Sequence, residues 1–154
     1  MRIIEMYHNR PFVFSIEVFP PKTEDGMTNL QKKLRAFTAF KPDYISVTYG
    51  AGGGTRQNTQ QLAGFIGNEL GIEVLAHLTC VSHTRKDVSL LKEQFLSKGV
   101  ENIMALRGDP PTTEKKFEPM PGGYRYASEL IEDLSRDRRF GIGAAGYPET
   151  HIEA

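Results

Sequence analysis

The alternation of short apolar segments with longer amphipathic segments is the feature that most constrains the fold of this chain. Five segments rich in β-branched, aromatic or small apolar residues predict strands, at residues 12–19, 43–49, 73–80, 101–107 and 140–146. Four stretches with apolar residues at helical spacing lie between them, at residues 27–40, 55–70, 84–98 and 126–137. The predicted order is β-α-β-α-β-α-β-α-β, with crossovers long enough to join parallel strands.

Two α/β architectures have this periodicity, the doubly wound sheet and the (βα)8 barrel of the TIM type. No G-x-G-x-x-G sequence stands at the first strand–helix turn, which disfavours the dinucleotide-binding doubly wound form. Interpreted as a barrel, residues 1–154 are a single domain that supplies only about the first five strands and four helices, a partial barrel.

Charge and cysteine content disfavour several classes of partner and compartment. The 154 residues include 19 basic and 19 acidic side chains, and this balance argues against a nucleic-acid or anionic-membrane partner. No apolar run is long enough to span a membrane, and the N-terminus does not have the pattern of a signal peptide. The single cysteine, Cys80, cannot form an internal disulfide. We therefore expect a soluble, cytoplasmic protein.

Polar side chains end or follow most of the predicted strands, although strands covered on both faces are usually apolar throughout. In both candidate architectures ligands bind at the carboxyl ends of the strands. We therefore expect a ligand site at this edge of the sheet. The residues concerned are Glu17, Ser46, Thr48, His77, Thr79, Arg107, Asp109, Tyr147, Glu149 and His151.

Glu17 has the clearest catalytic interpretation. It lies between Ile16 and Val18, which favours an inner strand of the sheet over a solvated edge strand. A carboxyl group buried in such a strand tends to hold its proton and can serve as a general acid or base.

Other candidate residues also have structural interpretations. Taken alone, His77 is most simply a core histidine with satisfied hydrogen bonds. Cys80 is predicted to pack in the core, and His83 is predicted to lie at the surface. Glu149 and His151 are compatible with the start of a fifth helix. No Cys/His cluster has metal-ligand spacing, so no metal site is expected.

The glycine run "GAGGGT" at residues 50–55 follows the second predicted strand. It lacks the lysine of the nucleotide-triphosphate loop, which excludes that motif. The run is compatible with a flexible loop, and also with bare backbone that lets a flat ligand pass close to the chain.

Six segments, in this order, resemble the methylenetetrahydrofolate reductases: "FSIEVFPPK", "PDYISVTYGAGGGTR", "AHLTC", "IMALRGDPP", "YASEL" and "AAGYPETH". The resemblance covers the chain from about residue 12 onwards. It implies a (βα)8 barrel that carries FAD and reduces 5,10-methylenetetrahydrofolate to 5-methyltetrahydrofolate, with NADH or NADPH as the electron donor.

The resemblance also implies roles for individual residues. Glu17 matches the general acid, which delivers a proton to the departing folate nitrogen so that the methylene bridge can open. Asp109 matches a residue that faces both the flavin and the folate pterin, and Thr48 matches a position that meets the nicotinamide. Arg107 and Gly108 match flavin contacts. The other matched FAD contacts are Tyr49, Ala51, His77, Tyr126, Ala127, Tyr147 and His151.

The family extends beyond the last matched segment, which sets an expectation for a chain of these residues alone. With an incomplete pocket it should bind FAD weakly and have little reductase activity, and its open sheet edges favour a homo-oligomer. Two other hypotheses remain open at this point. One is a flavin-free (βα)8 lyase or isomerase that uses Glu17, and the other is a non-catalytic partial barrel that associates with itself.

Overall fold

The computed structural model describes residues 1–49, 56–109 and 117–150. A short 3₁₀ helix at Thr38–Phe40 directly follows the α-helix Glu24–Phe37. None of the helices within the described ranges combines the length and the apolar composition needed to cross a membrane. In chain order the other elements are α1 (Ile3–Asn9), β1 (Ser15–Val18), α2 (Glu24–Phe37), β2 (Tyr44–Val47), α3 (Arg56–Glu69), β3 (Glu73–Thr79), α4 (Arg85–Ser97), β4 (Asn102–Leu106), α5 (Ala127–Ser135) and β5 (Gly141–Ala144).

The strands form one parallel sheet in the order β1-β2-β3-β4-β5, so each strand pairs with the next one along the chain. Buried residues of α2, α3, α4 and α5 all belong to one core together with one face of this sheet. A doubly wound sheet reverses its strand order and carries helices on both faces. Sequential order with the crossover helices on one face is the arrangement of a (βα)8 barrel over five strands, and it confirms the predicted fold class.

Alternation along the strands separates the apolar face from the polar one. On the helix-covered face, Ile45, Val47 and Ile103 are completely buried, and Val18 and Ala76 belong to the same core. The opposite face, which is the inner face of a barrel, carries the side chains that precede and follow these residues. Glu17, Ser46 and His77 lie on this inner face, so the site residues and the core residues come from the same strands.

Capping side chains determine where two helices begin. The Thr23 hydroxyl accepts a hydrogen bond from the Gly26 N–H at 3.1 Å, so α2 begins three residues before the predicted start. Thr84 and Asp87 form a capping box at the start of α4. The predicted N-cap of α3, Thr55, lies outside the described residues.

Helix α1 was not predicted, and it packs against the amino-terminal part of the inner face. Its buried residues Ile3 and Met6 contact Tyr44 and Leu75. The buried Asn102 side chain accepts a hydrogen bond from the Ile3 N–H at 2.9 Å. With α1 at one end of the inner face, the polar residues at the carboxyl end remain accessible.

Candidate functional site

Three strands bring Glu17, Ser46 and His77 together on the inner face. Glu17 of β1 is in register with Ser46 of β2. The Ser46 hydroxyl donates to Glu17 Oε2 at 2.9 Å, and His77 Nε2 of β3 lies 3.4 Å from the same oxygen. Since both neighbours approach Oε2, the other carboxylate oxygen can face a ligand.

Glu17 is less buried than predicted. β1 is at the edge of the described sheet, and 50% of the Glu17 side-chain surface is exposed. By comparison, 13% of the His77 side-chain surface, on β3, is exposed. The expectation of an inner strand was therefore wrong for these residues. The position of the carboxylate is nevertheless defined, because Ser46 is buried and donates to it.

The His77 imidazole has a pKa below its ordinary value. Burial is the larger cause, since it penalises the charged ring, and the Glu17 carboxylate offsets part of this effect by stabilising the imidazolium. His77 next to Glu17 therefore favours its neutral form at neutral pH. A neutral imidazole can either donate or accept a hydrogen bond at Nε2, according to its tautomer.

Replacing Glu17 by glutamine should lower the pKa of His77 further. The substitution keeps the side-chain shape but removes the one negative charge that raises this pKa, while burial of the ring continues to depress it. An NMR titration of the His77 ring signals measures the change. The Glu132→Gln variant is the matched control, because Glu132 is an exposed residue of α5 paired with Arg136. An unchanged His77 pKa in the Glu17 variant would contradict the observed contact.

The end of β4 supplies a second part of the site. Gly108 has a φ of +81°, and a Cβ at this position would lie 2.9 Å from both Thr79 Cβ and Val81 Cγ2. Only a bare backbone fits here without displacement of its neighbours. The Arg107 guanidinium lies 5.2 Å from the centre of the Phe117 ring, and Asp109 is exposed.

A cavity of about 390 Å³ opens where β4 and β5 end and α5 begins. Four of the predicted FAD contacts line it, namely Arg107, Tyr126, Ala127 and Tyr147. The N-cap residue of α5, Tyr126, makes no side-chain capping bond. Backbone N–H groups of the first turn can therefore donate to a ligand in this cavity. The remaining lining residues are Ala105, Leu106, Ser128, Ile131, Ala144 and Ala145.

Thr48 and Tyr49 follow β2 at the same edge of the sheet. The Thr48 N–H donates to the Val18 carbonyl at 3.0 Å, and its carbonyl accepts from the Thr59 hydroxyl at 3.1 Å. These bonds fix the backbone where β2 meets α3. The Tyr49 hydroxyl lies 2.9 Å from His83 Nε2, so its side chain contacts the next loop.

Several predicted features lie outside the described residues. Ala51, His151 and the glycine run at 50–55 are among them. Glu149 lies in a turn in which the Thr150 N–H donates to the Tyr147 carbonyl at 3.0 Å. A fifth crossover helix does not begin within the described residues up to 150.

The prediction for His83 was wrong, and the prediction for Cys80 is confirmed. His83 is completely buried, because Tyr49 and the Val81 carbonyl give both of its ring nitrogens a partner. Cys80 is also completely buried, and burial raises the pKa of its thiol to about 12. A thiol with this pKa is protonated at neutral pH and is a poor nucleophile.

Sequence reasoning placed Ser46 at the ligand-binding edge without a role, and it did not assign a role to Ser128 or Ile131 of α5, which line the cavity. The signal for Ser46 was available, since it shares the inner face with Glu17 by alternation. The signal for Ser128 and Ile131 was weaker, because their place beside Arg107 depends on the packing of α5 against β4. Among the described residues, no group of three or more His, Cys, Asp or Glu side chains is arranged to hold a metal ion.

Comparison with known proteins gives consistent matches. A family model described as methylenetetrahydrofolate reductase matches residues 2–154. "Methylenetetrahydrofolate reductase (NADH) 1" of Zea mays is 37% identical over 155 residues, which cover 99% of this chain and 26% of the relative. "5,10-methylenetetrahydrofolate reductase" of Salmonella typhimurium is 36% identical over 140 residues, which cover 91% of this chain and 45% of the relative.

A solved structure, that of Streptococcus suis SuiB, aligns with a TM-score of 0.46 at 13% identity, over 91% of this chain and 42% of that chain. The chain spans less than half the length of the two curated relatives described above. Since the family model matches almost every residue of the chain, the chain belongs to the methylenetetrahydrofolate reductase family.

Proposed function

We propose that this chain contributes the proton-donating half of an active site that reduces 5,10-methylenetetrahydrofolate to 5-methyltetrahydrofolate, with FAD as cofactor and NADH or NADPH as electron donor. The observation that carries the proposal is the position of Glu17, which is held by Ser46 beside His77 at the carboxyl ends of β1, β2 and β3. This position matches the ligand-binding edge of (βα)8 barrels.

The residues around the β4–β5 cavity suit FAD, a flat ring system joined through a polar chain to a diphosphate. Arg107 and Tyr147 line the same cavity as the first turn of α5, and Gly108 follows Arg107 directly at the end of β4. A guanidinium and first-turn N–H groups are donors suited to anionic or carbonyl oxygens. We infer that Arg107, Gly108, Tyr126, Ala127 and Tyr147 hold part of the cofactor. When bound, FAD supplies the electron transfer between the nicotinamide and the folate.

Glu17 has the clearest chemical role in this proposal. The methylene bridge of the folate opens when a folate nitrogen leaves the bridging carbon, and this nitrogen must gain a proton as the bond breaks. The Glu17 carboxyl group delivers that proton as a general acid. Ser46 holds Oε2 by donating a hydrogen bond, so in this proposal the other oxygen is the one that passes the proton to the folate nitrogen.

Asp109 and Thr48 act as positioning groups for the two substrates. The Asp109 carboxylate is exposed at the end of β4, where it can accept hydrogen bonds from the amino and ring N–H groups of a pterin. Thr48, whose backbone is fixed between Val18 and Thr59, offers its hydroxyl to the nicotinamide. Three plant relatives carry NADH in their names, and the donor proposed for this chain is NADH or NADPH.

We also propose a cytoplasmic location and a homo-oligomeric state. The balanced charge and the single buried cysteine support the first of these. The exposed edge of β1, flanked by the exposed side chains of Phe12 and Phe19, supports the second.

An absorbance scan followed by anaerobic titration tests the proposed function. Because weak binding is expected for these residues alone, FAD is supplied in excess, and the protein with bound FAD should absorb at about 450 nm, since the ring chemistry is the cofactor's own. The absorbance should fall when NADH or NADPH is added and return when methylenetetrahydrofolate follows. Absence of flavin uptake, together with a folate reaction that does not depend on flavin, would favour the lyase or isomerase hypothesis. No uptake and no reaction would favour the non-catalytic one.

A further inference from the structure

His83 is a completely buried, titratable side chain that the proposed reaction does not use. Its Nδ1 lies 2.7 Å from the Val81 carbonyl oxygen, and its Nε2 lies 2.9 Å from the Tyr49 hydroxyl. Because a carbonyl oxygen can only accept, Nδ1 must carry the hydrogen of that bond. In the neutral ring, Nε2 is then an acceptor, and the Tyr49 hydroxyl donates to it.

The side chain of Tyr49 points away from the inner face of the sheet. By alternation Tyr49 shares the helix-covered face with Ile45 and Val47, and its ring packs against that core. The centre of its ring lies 5.5 Å from that of the His83 imidazole. Tyr49 therefore reaches the ligand-binding edge with its backbone, while its hydroxyl is anchored in the β3–α4 loop, which comprises residues 80–84.

The backbone of the same loop holds the segment that leads into α5. Thr84 forms an isolated antiparallel bridge with Gly123, and the Arg85 N–H donates to the Gly122 carbonyl at 3.0 Å. A Cβ at Gly123 would lie 2.5 Å from the His83 carbonyl oxygen, so these two backbones are in close contact. Three residues further on, the chain reaches Tyr126 and the wall of the cavity.

The β3–α4 loop also contacts the end of β4. The Cys80 N–H donates to the carbonyls of Leu106 and Arg107, at 3.1 and 3.0 Å. Val81 packs against the bare backbone of Gly108. One short loop, to which the family resemblance assigns no cofactor contact, therefore touches Tyr49, Arg107–Gly108 and the turn that leads into Tyr126. The resemblance assigns flavin contacts to Tyr49, Arg107–Gly108 and Tyr126–Ala127.

We propose that His83 is a positioning residue that fixes Tyr49 relative to Arg107–Gly108 and Tyr126–Ala127, and so keeps three flavin-contacting segments in register. This inference rests on the proposed function, because that function supplies the flavin. His83 does not contact the flavin itself. It acts through one hydrogen bond to Tyr49 and through the backbone of the β3–α4 loop.

A matched pair of substitutions separates this role from packing. The side-chain amide of glutamine reaches the position of Nε2 and can keep the bond to Tyr49, whereas the shorter asparagine reaches only the position of Nδ1. We expect His83→Asn to weaken FAD affinity about tenfold and His83→Gln to change it less than about twofold. His83→Leu loses less volume than His83→Asn but cannot bond Tyr49, so it should weaken FAD affinity about as much as His83→Asn. A His83→Leu variant that binds FAD as tightly as His83→Gln would mean that packing alone matters, and would overturn the proposal.

A double-mutant cycle with Tyr49→Phe provides the second readout. If His83 acts through the Tyr49 hydroxyl, the double variant Tyr49→Phe/His83→Asn should bind FAD about as weakly as either single variant, roughly tenfold below the unmodified chain. Additive losses of roughly a hundredfold would mean that the two residues act independently, and would overturn the proposal.

A measurement without flavin distinguishes failure of this inference from failure of the proposed function. Long-range ¹H–¹⁵N NMR spectra of the ligand-free chain should show a single His83 tautomer with hydrogen on Nδ1. Tyr49→Phe should shift the His83 Nε2 signal. If the chain takes up no FAD but both signatures are present, the proposed function loses support and the Tyr49–His83 coupling stands. Hydrogen on Nε2, or an Nε2 signal insensitive to Tyr49→Phe, would overturn the positioning role whether or not flavin binds.

Discussion

Replacing Glu17 by glutamine in a chain that completes the barrel is expected to slow folate reduction by roughly 100- to 10,000-fold, which is the contribution typical of a general acid. Glutamine fills the same space and can still accept a hydrogen bond from Ser46, so the arrangement around Oε2 is preserved. It cannot deliver a proton to the departing folate nitrogen. Bleaching of the flavin by NADH or NADPH requires no such proton, and its rate should change less than about threefold. Stopped-flow absorbance measures the two half-reactions separately.

The comparison of half-reactions makes this prediction specific to proton donation. The Glu132→Gln variant removes an exposed carboxylate of α5 that pairs with Arg136, and both of its half-reactions should match those of the unmodified chain. If Glu17→Gln slowed both half-reactions equally, the residue would affect flavin binding or the fold, and the proton-donor role would be wrong.

Most of the fold was predictable because each strand and helix carries a local signal. The five strands and four crossover helices follow from apolar periodicity, and the structure contains all of them. The ends were less predictable, as β1 illustrates. Residues 12–19 have strand composition, yet pairing covers only Ser15–Val18, and Phe12 and Phe19 are exposed. The length of β1 is limited by its neighbour β2, which is only four residues long and provides backbone hydrogen-bond partners only over that length. The composition of residues 12–19 does not reveal this limit.

Features that depend on distant contacts were not predictable. Helix α1 has seven residues and gains its stability from contacts with β2, β3 and the buried Asn102 side chain. The sequence also left the choice between two architectures open. The sheet order and the side on which the helices pack arise from long-range pairing, so periodicity alone could not decide between them.

The candidate site was predictable in outline because parallel strands place their carboxyl ends together. Glu17 and His77 come from strands far apart in sequence, and they meet as expected. The burial of His83 was not predictable, since its partner Tyr49 lies 34 residues away and belongs to another loop. A polar sequence after a strand is typical of an exposed loop. The local sequence of a loop with a buried histidine looks the same, so the two cannot be distinguished before the fold is known.

The second large effect is expected for Gly108→Ala, which should lower the free energy of unfolding by about 2–5 kcal/mol. The left-handed backbone at φ +81° costs a residue with a Cβ about 1–2 kcal/mol. Overlap of the new methyl group with Thr79 and Val81, each 2.9 Å away, adds about 1–3 kcal/mol. Chemical denaturation with urea measures the loss.

Gly122→Ala is the matched control, because Gly122 has nearly the same φ, +74°. No atom of the described residues lies within 4 Å of the position that its new methyl group would take. Its loss should be limited to the backbone contribution of about 1–2 kcal/mol. The difference between the two variants then isolates the close approach of Gly108 to β3 and the β3–α4 loop. Shortening Val81 in the double variant Gly108→Ala/Val81→Ala should reduce the overlap, although Thr79 Cβ remains in place. Equal losses at Gly108 and Gly122 would mean that Thr79 and Val81 do not confine the backbone at the end of β4, and the overlap contribution predicted for Gly108→Ala would be wrong.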